Sequence, residues 1–89
     1  MSRVYGDPVE VWTSDDGRPT RFVWQGRLHT VLRVLEHWVT TRDWLRESDE
    51  ETRREFWRVE AMPDGTIGIY ELRHDLATNT WMLSRAWHE

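Results

Sequence analysis

Residues 57–88 read WRVEAMPDGTIGIYELRHDLATNTWMLSRAWH. Three segments of alternating apolar and polar residues are separated by Pro63-Asp64-Gly65-Thr66 and by Asp75-Leu76-Ala77-Thr78-Asn79. A two-residue period is that of a strand with one face buried, and Pro, Asp, Gly and Asn are the residues tight turns select. The segment therefore predicts a three-stranded antiparallel meander. Trp57, Val59 and Ala61 share one face of its first strand. Trp81, Leu83, Arg85 and Trp87 share one face of its last. Tyr70 and Leu72 are expected to face the same core.

The chain before the meander reads the same way. Val9-Glu10-Val11-Trp12-Thr13 alternates, Asp15-Asp16-Gly17-Arg18-Pro19 supplies a turn, and 20–24 sets Thr20, Phe22 and Trp24 on one side. Gln25-Gly26 marks a hairpin. The run 27–40 carries apolar groups on both faces, with Leu28, Thr30, Leu32, Val34, Glu36 and Trp38 on one. His29, Val31, Arg33, Leu35, His37 and Val39 line the other, as in a strand that bends across a small barrel. A helix over 29–39 is the rival reading, because Leu28, Val31, Leu32, Leu35 and Val39 also have helical spacing. Strand is preferred because the run is rich in β-branched and aromatic residues and no capping residue precedes it. Residues 41–55 are polar and charged. Ser48 with Glu51 forms a capping box, and Asp49–Arg53 and Glu50–Arg54 stand four apart. A long loop with one helical turn is expected there.

Eighty-nine residues make one domain, 1–89. Only 38% of them are hydrophobic and 31% are charged, so a core has to be built from few, large side chains. Seven Trp, two Phe and two Tyr supply them. The absence of cysteine excludes disulfides, thiolate metal sites and a Cys nucleophile. No apolar run is long enough to span a membrane. Met1-Ser2-Arg3 leads straight into polar residues, so no secretory signal and a cytoplasmic location are expected. All twelve basic residues are Arg, and the net charge of −4 disfavours a general nucleic-acid binder.

Several stretches together carry a resemblance: GDPVEVW, GRPTRFVWQGRLHTVLRVLEHWV, REFWRVEA and IGIYELRHDLATNTWMLSRAW. They resemble a family of small uncharacterised actinobacterial proteins, related to the C-terminal segment of ImuB-like proteins, the inactive Y-family polymerase relatives. The resemblance covers about residues 6–87. It implies a domain of unknown function with a link to DNA-damage tolerance, and no catalytic residue.

The residues themselves support no reaction. His29 and His37 on one straight strand would stand about 26 Å apart and cannot share an ion. His74-Asp75 with His88 is the remaining metal-ligand combination, and solvated strand-end residues are the simpler account. No metal and no cofactor are expected. Asp15-Asp16 belongs to a turn and Asp49-Glu50-Glu51 to a charged face. Glu60 and Glu71 lie inside strands, where cross-strand pairing with Arg58, Arg73 or Arg85 explains them better than catalysis. Ser14, Ser48 and Ser84 lack a nucleophile context, and the five glycines form no phosphate loop.

The tryptophans remain. The expected core is Phe22, Trp24, Leu32, Val34, Trp38, Trp57, Val59, Tyr70, Leu72, Trp81 and Leu83. Trp beside Arg is the pairing favoured in protein interfaces and on single-stranded nucleic acid. Arg42, Trp44 and Arg46, and Arg85 with Trp87, are the expected contact surface. The fold expected is all-β, a small antiparallel barrel or strongly bent sheet of five or six strands. The function expected is a non-enzymatic protein-interaction module whose partner is another protein or a second copy of the chain, as a homodimer. Single-stranded nucleic-acid binding through Arg and Trp is the alternative.

Overall fold

A computed structural model describes residues 2–42 and 52–87. These residues form seven strands: β1 (Ser2–Pro8), β2 (Glu10–Thr13), β3 (Pro19–Trp24), β4 (Arg27–Arg42), β5 (Thr52–Met62), β6 (Gly68–Asp75) and β7 (Thr80–Trp87). All neighbours are antiparallel, in the order β1-β7-β6-β5-β4-β3-β2. Residues 27–42 are strand, as preferred over helix.

The order forces curvature. β1 and β2 lie at opposite edges of the sheet, yet only Val9 separates them. A flat sheet would hold those edges about 29 Å apart, six strand spacings. One residue cannot span that distance, so the sheet curls into a half-barrel. Side chains across the curl confirm it: Tyr5 of β1 meets Trp24 of β3 edge-on at 5.0 Å, and the Trp24 indole N–H donates to Asp7 Oδ2 at 3.0 Å.

The concave face is the core. Phe22, Trp24, Trp57, Val59, Ala61, Tyr70, Leu72, Leu83 and Ala86 are buried, with Val34 and Trp81 packed against them. His29, which the sequence reading left off the core, is also buried. It stacks on Phe22 at 4.7 Å and meets the Tyr70 ring edge-on at 5.1 Å. The Arg27 carbonyl lies 2.9 Å from its Nδ1 and can only accept, so Nδ1 carries the proton.

Several expectations are corrected. The strands number seven, because β1 was missed: SRVYGDP shows little alternation and contains Gly and Pro. Among the described residues there is no helix. The expected helical turn fails at its C-terminal end, since Arg53 and Arg54 belong to β5, opposite Thr41 and Thr40 of β4. The capping box Ser48–Glu51 lies outside the described residues.

Three β-bulges account for the misplaced side chains. In β4, Val31 opposes Ala61 and Arg33 opposes Glu60, so Leu32 is an extra residue; Leu35 is extra in the same way between Val34 and Glu36. An extra residue shifts the alternation by one. Leu32 is therefore 45% exposed rather than core. Trp38, also expected in the core, registers with Phe56 on the convex face and is half-buried. In β7 the register shifts between Leu83 and Arg85, which leaves Ser84 as the extra residue. Arg85 and Trp87 thereby leave the face of Trp81 and Leu83 for the opposite one, and Ala86 takes the inward place.

Candidate functional site

The convex face of β4–β7 gathers what the concave face does not use. Its residues fall into cross-strand rows. Trp38, Phe56, Arg73 and Met82 are one row; Glu36, Arg58, Glu71 and Arg85 are the next; Glu60, Ile69 and Trp87 follow, with Arg33 opposite Glu60. A ladder of alternating charge thus runs between two rows bearing aromatic and apolar groups.

Arg58 is the centre of the ladder. Its Nη1 lies 2.6 Å from Glu36 Oε1, and its Nη2 lies 3.3 Å from Glu71 Oε1. The same guanidinium sits 4.9 Å from the Trp87 ring centroid and 5.5 Å from that of Trp38. Trp38 in turn lies nearly parallel to Phe56 at 5.2 Å. Arg85 approaches the Trp87 ring at 5.8 Å. The Ser84 hydroxyl, placed by its bulge, lies 2.9 Å from Glu71 Oε2 and 3.2 Å from the Glu71 carbonyl. Planar guanidinium both stacks on indole and forks onto carboxylates, which is why Arg serves here.

Further pairs balance the face. Arg33 Nε donates to Glu60 Oε1 at 2.9 Å. Asp75 Oδ1 lies 3.2 Å from Arg54 Nε and 3.5 Å from Arg73 Nε, close ion pairs that lack hydrogen-bond alignment. Among the described side chains the face carries five arginines, Arg33, Arg54, Arg58, Arg73 and Arg85, and four carboxylates, Glu36, Glu60, Glu71 and Asp75. These described charges nearly balance. The expected cross-strand pairing of Glu71 is present, with Arg58; Glu60 pairs instead with Arg33.

The concave face holds a second polar group at one end. Glu55 receives His37 Nε2 at 3.0 Å on Oε2 and stands 3.4 Å from His74 Nδ1 on Oε1. His37 stacks on Trp57 at 3.7 Å and His74 on Trp81 at 4.1 Å. The two imidazoles bond opposite oxygens of one carboxylate, and no group of three ligating side chains with metal-binding geometry occurs among the described residues. The sequence pairs His37 only with His29 and His74 only with Asp75 and His88; the cross-strand register is what joins His37 and His74. The Trp57 indole N–H is buried without a hydrogen-bond partner.

At the other end lies an open cleft of about 700 Å³, lined by Trp24, Arg27, His29, Tyr70 and Trp87 among others. Burial pushes the His29 imidazole below its usual pKa and the Tyr70 phenol above its own. The cleft lining has no carboxylate, serine or cysteine.

Of the expected contact residues, Arg85 and Trp87 come together on the convex face. Trp44 and Arg46 lie outside the described residues, and Arg42 is placed only as the last residue of β4. Glu36 and Trp38 are expected on one face together with Val34; the bulge at Leu35 turns the two to the convex face, and the cross-strand register adds Arg58, which no local pattern signals.

Residues 1–88 match the model of a family described as a domain of unknown function, DUF6504, and the chain belongs to that family. No curated protein and no solved structure matches it. Among the described residues no helix is long and apolar enough to cross a membrane.

Proposed function

We propose that this DUF6504 domain is a non-enzymatic interaction module that meets another protein through the convex face of β4–β7. The observation that carries the reading is the Arg58 cluster. Trp and Arg at the centre of a patch, surrounded by paired charges, are the composition of an interface hot spot. Trp87, Trp38, Phe56, Ile69 and Met82 are half-buried there, within reach of a partner.

Nucleic-acid binding through Arg and Trp is less well supported by the same residues. Stacking platforms need a free ring face, and a phosphate track needs uncompensated cations. Arg58 lies on both indoles and is itself held by two carboxylates. The link to DNA-damage tolerance rests on the family resemblance, and directs the search for partners to proteins of that response.

A titration separates the two readings. Purified protein is added to a fluorescein-labelled single-stranded oligonucleotide at low and at physiological salt, and tryptophan emission is recorded. The proposal expects no saturable binding. Salt-sensitive binding with quenched tryptophan emission overturns it in favour of nucleic acid.

A further inference from the structure

β4 is a strand with two different edges. Along β5 it is paired from Thr30 to Arg42, whereas β3 covers only Arg27 to Thr30. Among the described residues, the other edge of 33–42 has no strand beside it. Open edges invite pairing with another chain, and proteins usually blunt them with bulges, Pro or Lys. The first part of this edge is blunted, by the bulges at Leu32 and Leu35. The second part, Glu36-His37-Trp38-Val39-Thr40-Thr41-Arg42, has no bulge, no Pro and no Lys. It is rich in the β-branched and aromatic residues that favour strands, and Val39 is 49% exposed.

The segment is also complementary to itself. In an antiparallel pair centred on Val39, each Val39 opposes the other copy's Val39, Trp38 opposes Thr40, His37 opposes Thr41, and Glu36 opposes Arg42. Opposite charges meet at both ends of the ladder, a pairing favourable in sheets. Glu36 can take this second arginine beside Arg58, since its side chain is 55% exposed. A register slipped by one residue loses that match. Shifting the centre toward Leu35 brings a bulge into the ladder.

We infer that the unblunted half of the β4 edge is a self-association surface, on which a second copy of this chain adds antiparallel about Val39 and joins two sheets into one. The inference rests on reading the domain as an interaction module and names one partner for it.

The chain has no cysteine, which makes one introduced thiol a clean reporter. Directly opposed residues of antiparallel strands lie within disulfide reach. Val39→Cys is expected to form disulfide-linked dimers rapidly under mild oxidation. Val4→Cys, at an exposed position on edge strand β1, serves as the control and is expected to cross-link slowly if at all. By sedimentation velocity from micromolar to millimolar concentration, the unmodified protein is expected to pass from monomer to dimer. Arg42→Glu shifts that transition at least tenfold upward in concentration, and Glu36→Arg with Arg42→Glu restores it. Each variant is first shown folded by circular dichroism.

A protein monomeric throughout, or Val39→Cys cross-linking no faster than the control, overturns the inference. So does a dimer unaffected by Arg42→Glu, because it cannot have this register. These measurements use pure protein and leave Trp87 unaltered, so their failure does not bear on the convex face as a site for a different protein.

Discussion

Trp24 donates its indole N–H to Asp7 Oδ2 at 3.0 Å, joining the two ends of one curled sheet. β3 and β1 stand at nearly opposite ends of the strand order, so this bond exists only while the half-barrel is closed. Removing the carboxylate takes a hydrogen-bond acceptor from the N–H of a buried side chain. Asp7→Ala is expected to cost about 1–3 kcal/mol. Asp7→Asn, which keeps an oxygen acceptor, is expected to cost less. Urea denaturation followed by tryptophan emission measures both, and equal losses would mean that the carbonyl of Asn does not replace the carboxylate.

The charge ladder predicts unequal partners for Arg58. The Glu71 side chain is 13% exposed and also meets Ser84, whereas the Glu36 side chain is 55% exposed. Solvent screens the outer pair. Double-mutant cycles are expected to give a coupling of about 1 kcal/mol or more for Arg58–Glu71 and under about 0.5 kcal/mol for Arg58–Glu36.

Much of this arrangement could be read before the structure and some could not. β3, β5 and β6 alternate without interruption, so Phe22, Trp24, Trp57, Val59, Tyr70 and Leu72 were placed correctly in the core. The bulges defeated the reading elsewhere. Nothing in SRAW signals that Ser84 is extra, so Arg85 and Trp87 are expected on the face of Trp81 and Leu83 and lie on the opposite one. Leu32 was counted as core for the same reason, although in the structure it is a bulge residue on the surface. Small residues were undervalued too: Ala86 is fully buried because Tyr70 opposes it. The Glu55 bridge between His37 and His74 needed the register of three strands, which no local pattern contains.

His29 predicts a pH dependence. Burial lowers its pKa in the fold below the ordinary 6.5. The unfolded chain therefore binds the proton more readily, and stability rises with pH across that window. The contribution of neutral His29 is complete above about pH 6.5 and is lost as pH falls toward the lower folded value. His29→Phe keeps a ring on Phe22 and removes the titration. Denaturation midpoints at pH 7.5 and at pH 5.5 are expected to differ less for this variant than for the unaltered protein. An unchanged difference would place the acid sensitivity elsewhere.

Gly68 is required by its neighbour. A Cβ at this position would lie 2.9 Å from the Tyr70 hydroxyl and 3.1 Å from its ring. Tyr70 is held by Phe22, Trp24 and His29 and cannot swing away freely. Gly68→Ala is expected to cost about 1–3 kcal/mol, and adding Tyr70→Phe to recover part of it. Thermal denaturation of the single and double variants checks this; a neutral Gly68→Ala would show that the ring yields.

The central claim is that the convex face around Arg58 is where the domain meets a protein. A photo-reactive amino acid placed at Trp87, and for comparison at exposed Arg18 on the turn before β3, tests it in the living source cell. The account predicts one recurrent protein adduct from position 87, absent from position 18 and lost when Arg58→Ala is added to a chain that remains folded. Identical adducts from both positions, or none from position 87, would contradict it.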